Sequence, residues 1–221
     1  LTLEVLTNWH IYGPHLYLAA RLAYNPKADA DAIMDDYFTK FYGPKSAAAM
    51  KKYWMDIDDA FAKLDCHAGS FFAVHHVYTP EFLEQLRKSV DEAAAGAKGS
   101  RKYEDRVALT AEGFKSAVDY STMRDLANRG DFAKAKQIYD SYTARMVEDG
   151  EKKWVNKEYS MSYMRRFMSK FIMVGERVTA SPNKILGILP DEWKLEYDPK
   201  DAGTNTFPAV AFDASQWKKV L

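Results

Sequence analysis

Apolar residues recur at helical spacing through most of the chain, and each run is bracketed by residues that start or stop helices. Pro14 predicts a helix start, followed by an apolar face of Leu16, Ala19, Ala20 and Ala23 up to the Asn25-Pro26 break. Asp29 or Asp31 is suited to cap a second helix, in which Ile33, Tyr37 and Phe41 repeat every four residues before Gly43-Pro44. A third runs to about Leu64 with Met50, Trp54, Ile57, Phe61 and Leu64 on one side. Thr79 and Pro80 open a fourth, striped by Phe82, Leu86, Val90 and Ala93. Ser100 begins the longest, with Tyr103, Val107, Thr110, Phe114, Ala117 and Ser121 at spacings of three and four. After Gly130, Asp131 caps a helix carrying Phe132, Ala135, Ile138, Tyr142 and Met146. The last, near 162–175, is expected to turn Tyr163, Phe167, Phe171 and Val174 inward. About seven helices on short connections predict a bundle of antiparallel neighbours.

The two ends break this pattern. Leu1 to Leu6 suits the end of a buried strand, and residues 7–12 (TNWHIY) suit a polar-aromatic loop before the first helix. Strand, loop and helix in that order make a βα unit, whose loop lies on the active face in a TIM barrel. Beyond residue 179, Pro190 and Pro199 exclude helix interior, while 193–197, 207–212 and 217–221 suit strands. Three strands are fewer than the roughly seven of a sandwich. The expected fold is mainly α: the end of a barrel unit (1–12), a helical domain (13–178), then a linker and an incomplete β-sandwich (179–221). Both ends of the chain are expected to be cut.

Composition narrows the function classes. Among 221 residues, 31 Lys and Arg balance 31 Asp and Glu, which disfavours a nucleic-acid partner because such binding draws on a basic field. No apolar run reaches the ~18 residues of a membrane span. The single cysteine, Cys66, allows neither an internal disulfide nor a thiolate zinc site.

Few residues carry recognisable chemistry. There is no phosphate-binding glycine loop, no hydrolase triad spacing and no His-x-x-x-His pair. His75 and His76, adjacent on an extended loop, are expected to point to opposite sides, so no metal and no cofactor are expected. Asp35-Asp36, Asp58-Asp59 and Arg165-Arg166 suit solvated helix faces. The segment LANRGDFAKAKQIYDSYTARM is like half of a tetratricopeptide repeat, but no thirty-four-residue echo accompanies it. Glu4, at the predicted strand end, and Asn8, Trp9 and Tyr12, in the loop, are the candidate substrate-binding residues. Trp9 and Tyr12 suit stacking on a sugar ring or packing in a seam between barrel and bundle. Catalytic residues are not identifiable.

The runs NWHIYGPHLYLAARLAYNPKADADAIMDDYFTKFYGPKSAAAMKKYW, VYTPEFLEQL, RGDFAKAKQIYDSY and SPNKILGILPDEWKLEYDPKDAG fall in one order across residues 4 to about 203. Together they resemble the helical region, a domain of unknown function, that follows a glycosidase-like TIM barrel in large bacterial proteins distantly related to α-glucuronidases and β-N-acetylhexosaminidases. Asp213, Ser215, Trp217 and Val220 resemble the first strands of the sugar-binding jelly roll of family 2 glycoside hydrolases. The resemblance implies a fragment of a glycoside hydrolase acting on complex polysaccharide, supporting the barrel and lining one edge of its cleft. It also implies a carbohydrate partner, contact with the rest of a parent chain, and a periplasmic or extracellular setting. Glycoside hydrolysis uses two carboxyl groups about 5–10 Å apart. Glu4 alone qualifies by position, so the fragment is expected to be inactive. The alternative is a non-catalytic helical module that binds a protein or a glycan.

Overall fold

The computed structural model describes residues 9–65, 74–182, 186–187, 193–195, 215 and 218–220. It divides into two compact units, residues 1–185 and 186–221. The first is a helical bundle of α1 (Trp9–Tyr24), α2 (Ala30–Tyr42), α3 (Ala47–Ala62), α4 (Val74–Val77), α5 (Pro80–Ala97), α6 (Arg101–Asn128), α7 (Phe132–Glu151), α8 (Lys157–Met164) and α9 (Lys170–Ala180). A π-helical turn, Arg165–Ser169, joins the last two. The second unit contains β1 (Trp193–Leu195) and β2 (Lys218–Val220), antiparallel with Trp193 opposite Val220. Both strands fall within predicted segments. The expected strand at 207–212 and the strand end at Leu1 to Leu6 lie outside the described residues.

Local chemistry fixes several helix ends. Asp29 caps α2, accepting from the amides of Asp31 at 2.9 Å and Ala32 at 3.2 Å. Thr79 caps α5 at the amide of Phe82, with Pro80 in the first turn, and Asp131 caps α7 at the amide of Lys134. Gly43 ends α2 at φ 88°, a conformation that suits glycine, and a β-carbon there would lie 2.6 Å from the Tyr103 ring.

α6 is the spine. At 28 residues it spans about 42 Å. Its first half closes a core with α2, α3 and α5, built on Phe38, Tyr42, Met50, Trp54, Leu86 and Phe114. Its second half closes another with α7, α8 and the segment leading into α9, built on Met123, Phe132, Tyr142, Met146, Met168 and Ile172. Two buried polar contacts pin the first core. The Tyr42 hydroxyl lies 2.8 Å from Thr110 Oγ1 and accepts from the Trp54 indole N–H at 3.2 Å. Ser46 donates to the Ala93 carbonyl at 2.7 Å, tying the start of α3 to α5.

Three expectations are corrected. The first helix begins at Trp9, so Pro14 is its sixth residue and the segment from Trp9 to Tyr12 is helix rather than loop. Its buried face is accordingly His10, Gly13 and Pro14, with Tyr17 packed on the core, whereas Ala20 and Ala23 are exposed. The apolar alanine face was out of phase with the true one, because a helix starting five residues earlier docks through its first two turns. Third, Val174 is 58% exposed while Met168 and Ile172 are buried. The π-helical turn widens the helix by one residue per turn and rotates all that follows, which a uniform 3.6-residue period does not anticipate.

Loss of the Tyr42 hydroxyl leaves the Trp54 indole without its acceptor in a dry core. Tyr42→Phe is therefore expected to lower stability by about 1–3 kcal/mol in urea unfolding, with an unchanged denaturant slope. Trp54→Phe in the Tyr42→Phe background should cost less than in wild type, because the indole is then already unpaired.

Candidate functional site

The two cores meet near the middle of α6, and α1 crosses there. Gly113 permits the crossing: a β-carbon at that position would lie 3.1 Å from the His10 carbonyl oxygen and 3.2 Å from the Ile11 side chain. That carbonyl cannot accept from residue 14, because proline has no N–H. The close approach carries His10 into the interior, where it is 4% exposed and its Nδ1 makes no hydrogen bond. Burial holds the imidazole neutral, its pKa lowered to about 4 despite the opposing pull of the Asp149 charge.

Behind His10 lies a band of charge between α6 and α7. Glu112 and Asp149, respectively 8% and 1% exposed, lie within side-chain hydrogen-bonding reach of each other. Burial, and then the charge of Glu112, raise the Asp149 carboxyl above its ordinary range, while Lys152 opposes the shift. Glu112 Oε2 and Asp149 Oδ2 are sealed from solvent and accept no directed hydrogen bond. Arg145 completes the band, with Nε 3.2 Å from Glu112 and Nη2 2.6 Å from Asp119. Lys115 reaches Glu112 at 2.5 Å and Lys152 reaches Asp149 at 3.3 Å. Both Arg145 contacts are ion pairs by distance, and neither has the alignment of a hydrogen bond.

In front of His10 opens a cleft of about 440 Å³, within the range of small-molecule sites. Six tyrosines line it: Tyr12, Tyr78, Tyr120, Tyr142, Tyr159 and Tyr163. Tyr120 and Tyr142 are buried, Tyr12 is 38% exposed, and the rings of Tyr159 and Tyr163 lie 4.6 Å apart at the side contributed by α8. Ser116 and Ser160 add hydroxyls, and Ile11, Val74, Met146 and Met164 add apolar surface. Burial pushes the phenols of Tyr78 and Tyr142 up to about 12, so both stay protonated at neutral pH.

Of the residues predicted from sequence, Tyr12 lines this cleft. Trp9 opens α1, but its ring, like Glu4 and Asn8, lies outside the described residues. His75 and His76 do not diverge: they sit on α4 with ring centroids 3.9 Å apart, because neighbours on a helical turn differ by about 100° rather than 180°. No metal-ligand cluster occurs among the described residues. Glu112, Asp149, Tyr120 and Tyr159 are not among the residues that the sequence pattern marks as candidates. The available signal was an acid at the same phase as the apolar stripe, as Asp149 is three residues after Met146 on α7.

The geometry thus defines a helical bundle with an aromatic, hydroxyl-rich cleft at the junction of its two cores. Residues 4–55 match a family described as Domain of unknown function (DUF4838), a match that covers α1, α2 and the first half of α3. No curated protein and no solved structure matches the chain.

The buried imidazole gives a signed pH dependence. A folded-state pKa near 4 against 6.5 unfolded means the unfolded chain binds the extra proton between these values. Its contribution is complete above pH 6.5 and is lost as pH falls through 4, at most about 3 kcal/mol in all. Asp149, with its pKa raised from 3.8, acts with opposite sign as pH rises. The imidazole effect is therefore read as a difference: the stability gap between wild type and His10→Gln should shrink between pH 6.5 and 4 in urea titrations. A gap independent of pH would show that His10 is not held neutral.

Arg145 offsets two acids in the same band. Arg145→Met is expected to cost about 2–4 kcal/mol at pH 7, since the buried Glu112 and the half-buried Asp119 are then left without their shared cation. Part of the loss should be recovered in Arg145→Met with Asp119→Asn, measured as a double-mutant cycle.

Proposed function

We propose that this chain is the non-catalytic helical part of a glycoside hydrolase-like protein acting on complex polysaccharide, and that it binds carbohydrate through the tyrosine cleft. The cleft carries the reading. Phenol rings offer flat faces to the C–H surfaces of a sugar, while their hydroxyls, with Ser116 and Ser160, suit its hydroxyl groups. The matched domain of unknown function spans the segment that bears Tyr12 and His10, and the same segment opens the resemblance to the region after a glycosidase-like barrel. In the parent this part would support the barrel and line one edge of its substrate path.

The arrangement of acids supports an accessory role. Glycosidases hold two carboxyl groups about 5–10 Å apart across the bond to be cut. Glu112 and Asp149 are instead in mutual contact in the interior, behind His10, and neither lines the cleft. The competing reading, a helical module that binds protein, draws on the exposed apolar residues Met173, Val174 and Val178 of α9.

The 221-residue chain should release no colour from chromogenic glucuronides and hexosaminides, yet be retarded in gels containing soluble polysaccharide. Turnover abolished by Glu4→Gln would overturn the accessory assignment. Absence of retardation by every polysaccharide, with retention of a protein partner, would favour the competing module.

A further inference from the structure

We infer that the tyrosine cleft selects neutral sugar residues and rejects uronic acids, an inference that rests on the carbohydrate reading above. Among the described residues, its lining contains no lysine, arginine, aspartate or glutamate. Its titratable members are His10 and six tyrosines, and the wall is uncharged at neutral pH: the imidazole is neutral, and the buried phenols of Tyr78 and Tyr142 keep their protons. A carboxylate entering such a site loses hydration without gaining a cation. A neutral ring loses only hydroxyl hydration, which phenol and serine hydroxyls replace.

The nearby cations do not alter this balance. Arg145 is engaged by Glu112 and Asp119, and its guanidinium lies 5.5 Å from the centre of the Tyr142 ring. Lys115 and Lys152 pair with Glu112 and with Glu148 and Asp149. Arg166 is exposed, with its guanidinium 5.7 Å from the centre of the Tyr163 ring. Lying against a tyrosine of the lining, it serves as the control residue.

The test is calorimetric titration of the whole chain with cellohexaose, xylohexaose and mannohexaose, and with hexagalacturonate at equal ionic strength. At least one neutral hexaose should bind about tenfold or more tightly than hexagalacturonate. Tyr12→Ala, at an exposed ring, should weaken that binding about tenfold with an unchanged melting temperature. Hexagalacturonate binding as tightly as the best neutral hexaose, and lost in Arg166→Gln, would overturn the neutral preference and leave the carbohydrate reading standing. Silence from all four probes at millimolar concentration would overturn both. Neutral binding insensitive to Tyr12→Ala and to Tyr159→Ala would overturn the assignment to this cleft.

Discussion

The contact of the His10 backbone with Gly113 organises the first unit. α6 runs through both cores, and α1 approaches it at the point where one core gives way to the other. A β-carbon at 113 would lie 3.1 Å from the His10 carbonyl oxygen, so the neighbouring helix would have to give by a few tenths of an ångström, and a larger side chain would need more. The pressure would fall on the His10 backbone and the Ile11 side chain, the residues that set how Tyr12 faces the cleft. The cleft is therefore a consequence of how closely two helices approach, and its tyrosines come from α1, α6, α7 and α8 with Tyr78 from the turn before α5.

The same crossing accounts for the charge band. A neutral imidazole covers the band on the α1 side, leaving Glu112 and Asp149 dry, and dryness raises the Asp149 carboxyl. Two acids in contact repel unless one keeps a proton or cations stand close by, and here Arg145, Lys115 and Lys152 do. Such bands are costly to desolvate, and breaking one by removing a partner leaves a buried charge uncompensated. Among the described residues, the lining of the cleft is uncharged and the ionic groups of the band pair with one another.

The register of α9 follows from a different cause. Inserting a π-helical turn between Met164 and Lys170 keeps Met168 and Ile172 in the second core, yet turns Met173 and Val174 outward. Ser169, buried at the end of that turn, donates its hydroxyl to the Arg165 carbonyl at 2.6 Å.

The sequence by itself determined that this is a helical bundle, where most helices begin and end, and which stripes of α2, α3, α5, α6 and α7 face inward. Those properties depend on caps, on proline and glycine, and on a 3.6-residue period, all local in the chain. It also singled out Tyr12. Only the tertiary structure decided that His10 is an interior group, that Glu112 and Asp149 meet, and that six tyrosines surround one cleft. Each depends on contacts between residues on different helices, such as His10 with Gly113 or Glu112 with Asp149, and no local pattern records which helices will touch. The phase of α1 and of α9 was settled there too, because docking and a widened turn override the helical period.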